Sequence, residues 1–73
     1  MLTPAQCRAG RALLKWTQRD LAERSAISDT SIRHFENEKT IPHKATLILL
    51  RQTLENAGVA FLDENGGGVK LKR

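Results

Sequence analysis

The side chains of this 73-residue chain that could do chemistry fall into two sets. The first is what a catalyst or a metal would draw on: one cysteine, Cys7, and two histidines, His34 and His43. A thiol nucleophile needs a histidine base and a third group to orient it, and structural zinc needs four ligands at short spacings. Neither can be assembled from these residues, so Cys7 reads as a small buried apolar side chain and neither an enzyme nor a bound cofactor is expected. Gly66-Gly67-Gly68 follows a charged stretch and opens no helix, so it is no phosphate-cradling loop. The second set lies between Ser28 and Asn37, where Ile32 and Phe35 stand three apart and Glu36 follows. On a helix these three share one face, which turns Asp29, Thr30, Arg33, His34 and Asn37 outward as a run of donors and acceptors. Such a face can recognise a polar partner through an arginine fork, a threonine hydroxyl and methyl, and a carboxylate acceptor. Asp29 reads equally as a helix-dipole partner, and His34 as a solvated surface side chain.

Short helices must position that face. Thr3-Pro4-Ala5-Gln6 is a capping box with proline at the first helical position, which opens helix 1 and carries it to about Lys15. Cys7, Gly10, Arg11 and Leu14 mark its inner side; Gly10 costs up to ~1 kcal/mol against alanine and so points to a close helix approach. Thr17-Gln18-Arg19-Asp20 repeats the cap for helix 2, Gln18 to about Arg24, with Leu21 and Ala22 inward. Ser25-Ala26-Ile27 makes a three-residue turn, and Ser28 caps helix 3; two short helices joined this way are the sequence form of a helix-turn-helix. Trp16 covers the corner between helices 1 and 2. After a connection stopped by Pro42, helix 4 runs from about Lys44 to Ala57, with Leu47, Leu50, Leu54 and Ala57 inward and Gly58 as its C-terminal cap. From Val59 the period becomes two: Val59-Ala60-Phe61-Leu62 and Val69-Lys70-Leu71-Lys72 flank the turn-rich Asp63-Glu64-Asn65-Gly66-Gly67-Gly68. A β-hairpin or a frayed tail fits this segment. The fold class is thus mainly α, four helices with a C-terminal β-hairpin, and residues 59–73 form part of the same single domain as residues 1–58.

Composition bounds the rest. A 40% hydrophobic content with three aromatics, Trp16, Phe35 and Phe61, calls for a core of aliphatic side chains, and a single cysteine excludes an internal disulfide. No stretch has the apolar length of a membrane span or a secretory signal, which places the protein in the cytoplasm. A net charge of +4 favours an anionic partner without naming it.

The segment from Trp16 to Asn37, WTQRDLAERSAISDTSIRHFEN, resembles the phage Cro and repressor type of helix-turn-helix, with the capped Thr-Gln, the Leu-Ala pair, the Ile-Ser before helix 3 and Ile-x-x-Phe-Glu-Asn all in register. The resemblance extends over Gln6 to about Val59. It implies a lambda-repressor-like, four- or five-helix domain that binds double-stranded DNA, usually as a homodimer on an inverted repeat, to regulate transcription. Helix 3, Ser28 to Asn37, is then the recognition helix in the major groove, with Asp29, Thr30 and Arg33 first for base readout and Ser31 and His34 next. Gln18, Asn37, Lys39 and Thr40 match the positions that touch phosphates, as donors beside helix ends; an ordinary solvated side chain is the other reading of Lys39. The family register sets Arg11 against Glu36 as a structural ion pair, the alternative being two separate solvated charges. Two positions depart from the pattern: Ala26 and Glu38 stand where the family often has glycine, and a hairpin replaces the fifth helix. The same fold also serves protein-interaction modules such as antitoxin-like or adaptor proteins. The hairpin could join a homodimer through Val59, Phe61, Val69 and Leu71, or pack on its own helix 4. No membrane and no small-molecule ligand is implied.

Overall fold

The computed structural model describes residues 1–62 and 67–72. Four helices, α1 (Pro4–Leu14), α2 (Gln18–Ser25), α3 (Asp29–Glu36) and α4 (Lys44–Asn56), precede two strands, β1 (Val59–Leu62) and β2 (Gly68–Leu71). Each of the first three helices starts where a hydroxyl can satisfy orphan N–H groups: Thr3 Oγ1 accepts from Gln6 N, Thr17 Oγ1 from Asp20 N and Ser28 Oγ from Ser31 N. Gln6 and Asp20 complete the first two as capping boxes, accepting in turn from the backbone N–H of Thr3 and Thr17. Helix α4 has no side-chain cap.

Apolar residues at helical spacing meet in one core of Leu2, Cys7, Leu21, Ile32, Phe35, Leu47, Leu50, Leu54 and Val59. Gly10 lets the bundle close, since a Cβ built there would stand 3.3 Å from Leu54 Cδ1 and 3.7 Å from Val59 Cγ1. The strands pair antiparallel with Val59 opposite Leu71 and Phe61 opposite Val69, which gathers all four apolar side chains on one side. That side lies over α1 and α4 and joins the core, with Val59 fully buried. The Arg51 guanidinium sits 4.7 Å from the centre of the Phe61 ring, closing the edge of the lid. Trp16 packs half-buried against the core, with Arg24 stacked 4.6 Å above its ring.

The chain ends α1 and α4 slightly earlier than their patterns suggest. Lys15 is already left-handed at φ 58°, and its N–H and that of Trp16 bond back to Ala12 and Arg11 carbonyls, a Schellman closure. Ala57 is the C-terminal cap of α4 and is exposed, so it is not an inward residue; Gly58, at φ 112°, is the step beyond the cap that turns the chain into β1. The turn expected at 63–68 lies largely outside the described residues.

Ala26 closes α2 at φ 63°, the left-handed region that an alanine Cβ disfavours. Replacing it by glycine relieves the strain, partly offset by the greater freedom glycine gives the unfolded chain. Ala26→Gly should therefore raise unfolding free energy by roughly 0.5–1 kcal/mol in urea titration; an unchanged or lower midpoint would contradict it.

Candidate nucleic-acid interface

The outward side of α3 is built by what its inward side buries. Ile32, Phe35 and Glu36 are buried, while Asp29, Thr30, Ser31 and Arg33 are exposed and His34 is half-buried. Among the described residues, the side chains of Asp29, Thr30, Arg33 and His34 have no hydrogen-bond or ion-pair partner, so their donors and acceptors are open to another molecule. Ser31 differs: its Oγ accepts from Ser28 Oγ at 2.9 Å, which ties its hydroxyl into the helix start. Ser28 itself is spent on capping.

At the other end α3 closes on a tight turn. Glu38 N–H bonds to Phe35 O and Lys39 N–H to His34 O at 2.8 Å, with Glu38 left-handed at φ 60°. This Schellman turn sets Asn37, Lys39 and Thr40, all exposed, on one short loop leaving the helix.

Helix α3 is held in place through Glu36. Its side chain is 1% exposed, and Arg11 clamps it with Nε to Oε2 at 2.7 Å and Nη2 to Oε1 at 2.6 Å. Gln18 Nε2 donates to Oε1 at 3.0 Å and the Cys7 thiol to Oε2 at 3.1 Å, so each carboxylate oxygen accepts two bonds and no lone pair is left over. The remaining Arg11 donor, Nη1, reaches the Trp16 carbonyl and so braces the α1–α2 corner with the same side chain. Burial works to raise the Glu36 carboxyl, but the bonds from Arg11, Gln18 and Cys7 and the Arg11 charge outweigh it and hold it below the usual carboxylate range. Burial first, then the bond and charge of Glu36, push the Cys7 thiol well above its ordinary value, so it stays a protonated donor. Arg11 is raised by its bond to Glu36 against the opposing effect of burial.

The fold thus places Asp29, Thr30, Arg33 and His34 along one helix face and Asn37, Lys39 and Thr40 on the adjoining loop. Gln18 stands apart from them in one respect, because its amide is committed to Glu36 and only half-buried beside α2's first turn. Two participants escaped the sequence reading. Cys7 is apolar in type but donates to a carboxylate, which spacing cannot reveal; Arg8 Nη1 donates to the backbone carbonyl of Glu36, a contact between residues 28 apart in the chain. Among the described residues no helix is long and apolar enough to cross a membrane, and no three metal-binding side chains cluster. A family model described as helix-turn-helix matches residues 8–56, more than half of the chain. No curated protein matches the sequence.

Because the folded Glu36 carboxyl titrates below its unfolded value, it contributes stability that is present above about pH 4.3 and is lost as pH falls through the folded value. Glu36→Gln should cost about 3 kcal/mol at neutral pH, leaving Arg11 without its counter-charge, and should flatten the fall in stability as pH drops below about 5. Parallel pH profiles for the two proteins would show that this carboxyl is not held ionised.

Proposed function

This chain belongs to the helix-turn-helix family of DNA-binding domains, and from that premise we propose that it is a sequence-specific transcriptional regulator that acts on double-stranded DNA in the cytoplasm, with α3 in the major groove. The observation that carries the reading is the unpartnered polar side of α3, clamped from behind by a fully satisfied buried carboxylate. A major groove admits one helix, and the N-terminal residues of such a helix approach base edges. Arg33 can pair bidentately with guanine, Thr30 can touch a thymine methyl and Asp29 can accept from a cytosine amino group; Ser31 and His34 flank them. Asn37, Lys39 and Thr40 position the helix through phosphates, and Gln18 assists through its backbone N–H at the start of α2, its side-chain amide being held by Glu36. Binding alone suffices as mechanism: occupancy of the site alters access of polymerase.

One α3 reads only a few base pairs, and a two-fold pair of chains on an inverted repeat would set two such helices about 34 Å apart. The apolar side of the hairpin is covered by the chain's own α1 and α4, which leaves the outward side of α4 as the surface for pairing. Ile48 and Leu49 are exposed there, and Ile41, in the connection before α4, is 95% exposed. A second copy meeting this side of α4 would bury Ile48 and Leu49.

Arg33→Ala should cost about 1 to 3 kcal/mol on the preferred duplex and change the ranking of sequences, whereas Lys39→Ala should weaken all duplexes alike and lower the salt slope by about one. Selection from a random duplex library followed by titration distinguishes them; equal, sequence-blind losses would end the division of labour. For pairing, sedimentation of the wild type and of Leu49→Asp with a palindromic duplex is the check. We expect two copies on the duplex for the wild type and one for the variant, and a wild type that binds as a single copy would remove the dimer.

A further inference from the structure

We propose that Arg8, on α1, is a further phosphate-contact residue of the DNA interface, reaching the phosphate beside Asn37 across the end of α3; this rests on the DNA-binding reading above. Arg8 Nη1 donates to the carbonyl of Glu36, the last residue of α3, and that carbonyl belongs to the peptide that leads into Asn37. The guanidinium therefore sits at the root of the loop carrying Asn37, Lys39 and Thr40. Arg8 is exposed, and among the described residues no carboxylate pairs with it, since Glu36 is saturated by Arg11, Gln18 and Cys7. A guanidinium has five N–H donors in a fixed fork, so one bond to a carbonyl leaves others for a phosphate oxygen.

Charge at this corner calls for such a group. The C-terminal end of a helix carries partial negative charge, and here it coincides with the Glu36 carboxylate and with exposed Glu38. A phosphate docking at Asn37 meets all three. Arg11 is only 18% exposed and spends its donors on Glu36 and the Trp16 carbonyl, and Gln18 has given its amide to Glu36. Lys39 on the loop and Arg8 behind it are exposed cations that can offset the repulsion at this corner, while Arg33 stands on the outward side of α3. Because Arg8 holds the backbone and not a base-reading side chain, its contact carries no sequence information.

The test is binding of the full chain to its selected duplex and to a scrambled one, from about 0.05 to 0.3 M salt, for the wild type, Arg8→Met and Arg8→Lys, with thermal unfolding measured alongside. Arg8→Met should lower the slope of log affinity against log salt by about one on both duplexes while leaving their ranking unchanged, and Arg8→Lys should restore the slope. A purely structural brace would shift unfolding and leave the slope where it was. Retention of the wild-type slope by Arg8→Met therefore overturns the assignment, however much the affinity falls. A wild type with no salt-dependent duplex binding overturns the DNA reading itself, and this inference with it.

Discussion

A buried carboxylate is costly unless every lone pair is satisfied and a counter-charge is at hand, and Glu36 meets that condition with groups drawn from two other helices. The requirement runs outward. Arg11 must leave α1 on the side facing α3, so α1 crosses behind α3; Gln18 must start α2 within reach, which fixes the α1–α2 turn; Cys7 must lie one turn before Arg11. With nine buried hydrophobic residues in its core among the described residues, the chain has little apolar area to impose these angles by packing alone. The polar clamp supplies directionality that aliphatic contacts lack.

Tight turns follow from the same constraint. To bring α1, α2 and α3 round one carboxylate with three residues between successive helices, the chain reverses through left-handed residues at Lys15 and Ala26, and a third, Glu38, closes α3; none of them is glycine. Each holds a conformation its Cβ resists, so the turns are maintained by what they connect. At Glu38 the side chain also places negative charge on the loop that carries Asn37, Lys39 and Thr40. That cost explains why a cation from α1 would be needed at this corner.

Much of the fold is legible in the sequence because its signals are local. Thr3, Thr17 and Ser28 announce helix starts through chemistry within four residues, and the change from a three-and-four period to a period of two at Val59 marks the hairpin. Helix ends are less legible: Ala57 fits the inward period of α4, yet the chain has already turned toward Gly58, and only the left-handed closure reveals it. In the candidate site, the outward run on α3 follows from the burial of Ile32 and Phe35. The family register names Arg11 and Glu36, but not the donors from Cys7 and Gln18 or the reach of Arg8, because these depend on the crossing of α1 over α3 and no spacing encodes that angle.

The two ends of α3 are consequently held by different means. Its start is secured locally, by Ser28 and the hydroxyl of Ser31, and its end globally, by Glu36 through α1 and α2. Between them, the side chains of Asp29, Thr30, Arg33 and His34 make no hydrogen bond or ion pair among the described residues. Surface substitutions away from caps, cores and networks usually change stability by less than about 0.5 kcal/mol, so these four positions can vary with little effect on the scaffold. If α3 enters a groove as proposed, a change at one of these positions would alter which duplex is preferred while Glu36 keeps the angle of α3 fixed. On the proposed reading, affinity and specificity separate for that reason: the loop and α1 would set how strongly any duplex is held, and the free side of α3 which one.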